Sequence, residues 1–130
     1  MSGMEWIIDA QGCSPEALKN PELLRKLFRT IVDDLGLRTV GETCWHQFPG
    51  SGGITGLCLL SESHLACHTV PEYGSLCLNL FCCVARPEWD FEKHLAGIFC
   101  ATLVQVRRVV REYSSSSAFE ASDTIEARLK

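Results

Sequence analysis

The side chains best suited to chemistry lie close together in the sequence, between residues 59 and 83. They comprise hydroxyls, imidazoles, carboxylates and thiols: Ser61, Glu62, Ser63, His64, Cys67, His68, Glu72, Cys82 and Cys83. A serine in a tight turn between two apolar strands occupies a position where backbone strain can be stored. Ser63 is therefore suited to attack the carbonyl carbon of Glu62, the residue before it. The alternative is an ordinary polar hairpin, in which His68 is a hydrogen-bonded sheet residue and Cys83 is a core thiol.

The spacing of apolar residues predicts the helices that help to position these groups. A capping residue precedes a proline at Ser14-Pro15 and at Asn20-Pro21, and each pair predicts a helix start. After the second start, apolar residues recur at helical spacing as far as Gly36, which predicts one amphipathic helix of about four turns. A second helical pattern spans residues 87–99.

Six apolar or alternating segments predict β-strands. They span residues 5–10, 37–48, 54–60, 64–70, 75–84 and 102–113. The turns between the central strands are short, which favours a mainly antiparallel sheet with both helices on one face. The predicted fold class is therefore α+β, a two-layer sandwich. Because the second face of the sheet is also apolar, we expect dimerisation through the sheets.

The length of 130 residues and the 46% hydrophobic content fit one domain with its own core. We expect this domain to span residues 1–113, and residues 114–130 to form a disordered polar tail. A net charge of −4 argues against a nucleic-acid partner or an anionic membrane surface. No apolar run approaches the roughly 18 residues of a membrane span, and no signal-peptide pattern opens the chain. The expected location is the cytoplasm.

Eight cysteines are many for a chain of this length. In a reducing compartment they are expected to remain thiols, most of them buried as small apolar side chains. The spacing of the cysteines and of the four histidines does not match a zinc finger, so no metal is predicted. A metal site built from Cys67, His68, Cys82 and Cys83 is the weakest alternative.

The pattern ESHLxxHTxPE begins at Glu62 and ends at Glu72. A Gly-x-Thr-Gly strand precedes it, and a strand ending in Phe-x-Cys follows it. This combination resembles the prokaryotic S-adenosylmethionine decarboxylase proenzymes. The similarity is densest from Gly53 to Cys83 and extends more loosely over residues 5–113.

The resemblance implies an enzyme that makes its own pyruvoyl cofactor. Ser63 would attack the carbonyl of Glu62, the chain would cleave between residues 62 and 63, and residue 63 would become a covalent pyruvoyl group. His68 matches the histidine that transfers protons during this processing. Thr55 matches a hydroxyl that holds the geometry of the cleavage site.

The same resemblance implies a decarboxylation in which the substrate amine forms a Schiff base with the pyruvoyl ketone. Cys83 matches the general acid, and an unperturbed thiol pKa of about 8.5 leaves it protonated at neutral pH. Glu72 matches a carboxylate that binds the ribose hydroxyls of S-adenosylmethionine. Phe48 lies near an aromatic position that meets the adenine or the sulfonium. Cys82 is expected to face the other side of the sheet as a core thiol.

The implied function is a self-processing, pyruvoyl-dependent decarboxylase of S-adenosylmethionine in polyamine (spermidine) biosynthesis, active as a homodimer of cleaved protomers. Two positions depart from the family pattern near the substrate: Val70 replaces a frequent aromatic residue, and Asn79 replaces a frequent aspartate. An arginine or ornithine decarboxylase on the same scaffold therefore remains an alternative. An uncleaved, non-catalytic homologue is another.

Overall fold

Six strands form a single sheet, and three helices cover it, in a computed structural model that describes residues 2–113. The predicted tail, residues 114–130, lies outside the described residues. The strands are β1 (Ser2–Gln11), β2 (Cys44–Gln47), β3 (Ile54–Leu59), β4 (Ser63–Val70), β5 (Ser75–Cys82) and β6 (Leu103–Glu112). The helices are α1 (Pro15–Leu18), α2 (Pro21–Asp34) and α3 (Phe91–Phe99), and a 3-10 turn spans Pro71–Tyr73.

The strand order is β2-β3-β4-β5-β1-β6, and every neighbouring pair is antiparallel. The first strand thus lies inside the sheet, between the fifth and the sixth. Side chains from the helices and from alternate strand positions share one core. The predicted two-layer α+β fold is confirmed. No helix within residues 2–113 combines the length and the apolar character needed to cross a bilayer.

Side-chain oxygens cap the helices at the positions that the sequence predicts. The Ser14 hydroxyl accepts a hydrogen bond from the Ala17 amide at 3.2 Å, and the Asn20 side chain accepts one from the Glu22 amide at 3.0 Å. Each cap satisfies an amide that has no partner within its own helix, which fixes where the helix begins. The apolar stripe of α2 is buried against the sheet at Leu24, Leu27, Phe28 and Ile31.

Strict alternation along the strands gives the sheet two different faces. On β5, Leu76, Leu78, Leu80 and Cys82 are buried beneath the helices. On β4 the odd-numbered residues from Leu65 to Thr69 are buried, whereas His64 and His68 are exposed. We call the side beneath the helices the helix face and the other side the open face. This alternation decides which candidate residues can meet.

Two predicted elements are longer than the observed ones. The strand predicted over residues 37–48 is reduced to Cys44–Gln47, because Gly41 adopts a left-handed φ of 71° and interrupts the extended chain. The helix predicted over residues 87–99 is α3 in the structure, and it begins at Phe91 rather than near Pro87. The Asp90 side chain accepts from the Lys93 amide at 3.0 Å and sets that start.

Thr69 allows a test of how much buried side-chain hydrogen bonds stabilise this core. It is 1% exposed, its hydroxyl donates to the Leu18 carbonyl at 2.9 Å, and it accepts from the Ile54 amide at 2.9 Å. Thr69→Val keeps the shape and leaves both backbone groups unpaired, so we expect a loss of about 2–4 kcal/mol in unfolding free energy by chemical denaturation. Thr30→Val is the control, because its hydroxyl bonds to the Lys26 carbonyl on an exposed helix surface. An equal loss in both variants would contradict this interpretation.

Candidate active site

The turn before β4 is held by backbone hydrogen bonds. The Leu60 amide donates to the Ser63 carbonyl at 3.0 Å, and the Ser61 amide donates to the Arg38 carbonyl at 2.8 Å. Within residues 2–113 the one non-glycine residue with positive φ is Cys100, so the turn stores no left-handed strain. Hydrogen bonds, one of them to the loop of Arg38, hold this turn in place of a left-handed residue. Glu62 is exposed and Ser63 is half-buried.

Ser63 borders a cleft of about 360 Å³ at the end of the sheet. The cleft also contains Glu62, Arg38 and Arg86. The Arg86 guanidinium donates to the Leu35 carbonyl at 3.2 Å, and its Nε is buried without a hydrogen-bond partner in the structure. The cleft that Ser63 borders therefore contains two cationic side chains, Arg38 and Arg86. Sequence spacing gave no sign of Arg86, because its loop reaches the turn only through folding.

Cys82 and Cys83 lie at the same end of the sheet as Ser63. Cys82 pairs with Ser63 in the strand register and is 1% exposed. Its burial raises the pKa of its thiol, while the nearby Arg86 acts in the opposite direction. Cys83 follows β5, is half-buried, and accepts a hydrogen bond from the Tyr113 hydroxyl on its carbonyl at 3.4 Å. The predicted placement of Cys82 in the core is confirmed.

A second group of predicted residues meets at the other end of β4. Thr55 and His68 are opposite each other in the register, and Thr55 Oγ1 lies 2.7 Å from His68 Nδ1. The Phe48 ring contacts the His68 ring edge-to-face, with centroids 5.9 Å apart. A shallow depression of about 390 Å³ on the open face includes Thr55 and His68. Glu72 is exposed in the 3-10 turn that directly follows this end of β4.

The structure does not bring Ser63 and His68 together within one chain. They lie five residues apart on a continuous strand, which corresponds to roughly 16 Å. Their side chains also belong to opposite faces of the sheet, because their positions differ by five, an odd number, and side chains alternate along a strand. The predicted residues therefore form two clusters, one at Ser63 and Cys83 and one at Phe48, Thr55, His68 and Glu72. We call them the serine cluster and the histidine cluster.

The four residues of the alternative metal site do not converge. Cys67 and Cys82 are buried on the helix face, whereas His68 is exposed on the open face. Burial raises the pKa of the Cys67 thiol to about 12, which disfavours the thiolate that a metal binds. Among residues 2–113 there is no group of three His, Cys, Asp or Glu side chains arranged to hold an ion.

The largest cleft described is elsewhere. It measures about 970 Å³ and lies between α2 and β2, with Phe28 and Trp45 among its lining residues. None of the predicted site residues lines it. Phe28 of α2 and Trp45 of β2 pack against each other there, with ring centroids 4.8 Å apart.

Comparison with known proteins gives a consistent result over most of the chain. The family model described as S-adenosylmethionine decarboxylase matches residues 4–112. The S-adenosylmethionine decarboxylase proenzyme of Moorella thermoacetica is 31% identical over 110 residues, which are 84% of this chain and 86% of that protein. The proenzyme of Acetivibrio thermocellus is 32% identical over 114 residues, covering 85% of this chain and 90% of the relative. That of Archaeoglobus fulgidus is 36% identical over 81 residues, covering 62% and 70%.

A solved structure shares the fold. The crystal structure of the adenosylmethionine decarboxylase from Aquifex aeolicus superposes with a TM-score of 0.73 at 20% identity, covering 88% of this chain and 94% of that one. This likeness supports the architecture described above. Since the family model extends from the first strand to the last, this chain belongs to the S-adenosylmethionine decarboxylase family.

Proposed function

We propose that this protein is a self-processing, pyruvoyl-dependent S-adenosylmethionine decarboxylase that serves polyamine biosynthesis. The observation that carries the proposal is the placement of Ser63, in a family member, at a hydrogen-bonded turn that pairs with the end of β5 and borders a cleft containing Arg86. All eight cysteines lie within the described residues, and none is in a disulfide. We also propose a cytoplasmic location, a compartment in which disulfides form only transiently.

In processing, the Ser63 hydroxyl oxygen attacks the carbonyl carbon of Glu62. The peptide bond becomes an ester, elimination breaks the ester bond, and hydrolysis of the resulting enamine releases ammonia. Negative charge develops on the Glu62 carbonyl oxygen during the attack. Arg86 lies in the same cleft with an unpaired Nε, so it is suited to stabilise that charge. The surroundings of Ser63 thus fit the formation of a pyruvoyl group at this position.

The pyruvoyl group would supply the electron sink for the carbanion left by the loss of CO2. The chain itself must return a proton to that carbon. Cys83 is suited to this step because it is half-buried at the end of β5, next to the strand that begins at residue 63. Cys82 is unsuited, because it is enclosed in the core and its pKa is raised by burial.

The histidine cluster supplies the remaining roles. The Thr55 hydroxyl engages His68 Nδ1, which leaves Nε2 free to transfer a proton during processing. Phe48 presents an aromatic ring, 40% exposed, to which a sulfonium or an adenine could bind. Glu72 presents a carboxylate that can accept hydrogen bonds from two adjacent ribose hydroxyls.

One active site then requires two copies of the chain. A two-fold axis that lies between two stacked open faces and runs perpendicular to the strands would bring the Ser63 end of β4 in one protomer to the His68 end of β4 in its partner, which one chain cannot do alone. Leu57 and Leu59 are 58% and 59% exposed on the open face, and burying them favours this contact.

The charges on the open face are compatible with such burial. Arg111 pairs with Glu5 at 2.6 Å, and Arg107 pairs with Asp9 at 2.8 Å, between strands β6 and β1. Ions that are already paired cost less to bury than isolated ones. We therefore propose a homodimer of cleaved protomers, joined through the open faces of their sheets.

Two other functions make different predictions. An arginine or ornithine decarboxylase would keep the processing chemistry and change the substrate, but the matched relatives are named for S-adenosylmethionine. An uncleaved homologue would retain the peptide bond between residues 62 and 63. Chain cleavage and substrate choice, measured together, separate these two functions from the proposed one.

Purified protein should run as two fragments on denaturing gels, of 62 and 68 residues. Ser63→Ala should remain one chain and lose CO2 release, because it lacks the attacking hydroxyl, whereas Ser61→Ala in the same turn should cleave normally. Release of CO2 should be measured from S-adenosylmethionine, arginine and ornithine. Activity on a basic amino acid alone would overturn the substrate assignment, and an intact wild-type chain that resists hydroxylamine would overturn the processing.

Loss of the Arg86 cation should slow cleavage. For Arg86→Gln we expect the rate of chain cleavage after in vitro synthesis to fall by about tenfold or more, with a smaller effect for Arg86→Lys, because a cation stabilises the developing oxyanion. Arg108→Gln on the exposed surface of β6 is the matched control. Thermal midpoints of the variants separate a folding defect from a chemical one. Unchanged cleavage in a folded Arg86→Gln protein would remove this role.

Two inactive variants should complement each other. Ser63→Ala and His68→Ala retain opposite clusters, so a mixed dimer has one complete site out of two. Random mixing of equal amounts should restore about a quarter of wild-type cleavage and activity. Each variant alone should stay inactive. If co-expression restores nothing while the mixed dimer is recovered through two affinity tags, both clusters must act within one chain.

A further inference from the structure

Two loops run side by side near the 3-10 turn that follows β4. One connects β1 to α1 and contains Cys13; the other connects α3 to β6 and contains Cys100. The Ser14 amide donates to the Phe99 carbonyl at 2.8 Å, and the Thr102 amide donates to the Gln11 carbonyl at 2.9 Å. Cys13 and Cys100 lie opposite each other between these two hydrogen bonds.

The backbone of Cys100 is unusual. Its φ of 61° places it in the left-handed region at the end of α3, a position that glycine usually takes. No other non-glycine residue in the range 2–113 has a positive φ. A side chain kept at such a position against its steric preference suggests that the side chain itself is used.

The two thiols differ in their access to solvent. Cys13 is 4% exposed and belongs to the core, whereas Cys100 is exposed. Burial, and then the neighbouring Cys100, raises the pKa of Cys13. One accessible thiol therefore lies next to one protected thiol, which is the arrangement of an attacking and a resolving cysteine.

We propose that Cys13 and Cys100 form a reversible disulfide that covalently joins the two fragments of the processed protein. The joining of fragments rests on the proposed function, because Cys13 precedes and Cys100 follows the bond between residues 62 and 63. The disulfide itself depends only on the two neighbouring loops.

The oxidant is a small disulfide of the glutathione class. The Cys100 thiolate attacks one of its sulfurs, which forms a mixed disulfide and releases one thiol. The Cys13 thiolate then attacks the Cys100 sulfur and releases the second thiol. Two protein thiols are oxidised and one small disulfide is reduced to two thiols. Because the pKa of Cys13 is raised, the second step should accelerate as the pH increases above neutrality.

The proposed disulfide would also affect the turn that carries the candidate site residue Glu72. The Cys13 amide donates to the Gly74 carbonyl at 2.9 Å. Gly74 ends the 3-10 turn that carries Glu72. A disulfide at Cys13 would therefore restrict the loop that supports this turn, as well as prevent the fragments from separating.

The experiment treats the full-length protein with oxidised glutathione and compares gels run with and without reductant. We expect one band of full-length size without reductant, two fragments with it, an intact mass lower by two hydrogen atoms, and a linked pair of peptides containing Cys13 and Cys100. The bridged protein should also have a thermal midpoint several degrees higher. Cys100→Ser should abolish all of these changes, and Cys44→Ser, which removes an exposed thiol on β2, should abolish none.

Three outcomes would overturn the proposal: eight alkylatable thiols after oxidation, a glutathione adduct that persists on Cys100, or a linkage through other cysteines. Failure of the proposed processing gives a different result. In that case the reduced sample remains one chain, while the loss of two hydrogen atoms and the linked peptides still establish the disulfide.

Discussion

The antiparallel pairing of β4 with its two neighbours is the constraint on which the rest of this structure depends. It fixes Thr55 opposite His68 at one end of the strand and Cys82 opposite Ser63 at the other. A strand is stiff and its side chains alternate, so these two ends cannot approach each other by any local adjustment. The chemistry of the molecule is divided in two by this one element.

Because the two clusters are separated within one chain, the open face of the sheet matters for the proposed function. Three helices cover the helix face, and their apolar side chains form the core with alternate strand residues. The open face carries exposed leucines, paired charges and the histidine cluster. In the proposed dimer, an association that buries the leucines would also bring the serine cluster of one chain to the histidine cluster of the other. Burial of the same apolar side chains would then both stabilise the dimer and form the active site.

The turn at residues 60–63 is held by backbone hydrogen bonds. Its conformation depends on the Arg38 carbonyl and the Ser63 carbonyl rather than on a strained dihedral angle. The proposed reactivity of Ser63 would then come from its surroundings, to which the fold brings the side chains of Arg38 and Arg86. Among residues 2–113 the one non-glycine residue with a left-handed φ is instead Cys100, in the loop between α3 and β6.

The sequence by itself determined the local elements and the kind of chemistry. Ser14 and Asn20 predicted the helix starts, alternation in β5 predicted which cysteine is buried, and the pattern from Glu62 to Glu72 predicted the family. These features depend on neighbouring residues and on the period of a helix or strand, so they can be read from spacing. The tertiary structure alone decided that Ser63 and His68 are apart, that Arg86 lies in the cleft of the turn, and that the loops of Cys13 and Cys100 run side by side. Such contacts join residues that are distant in the chain, and their distances are set by strand register and loop packing, which spacing does not encode.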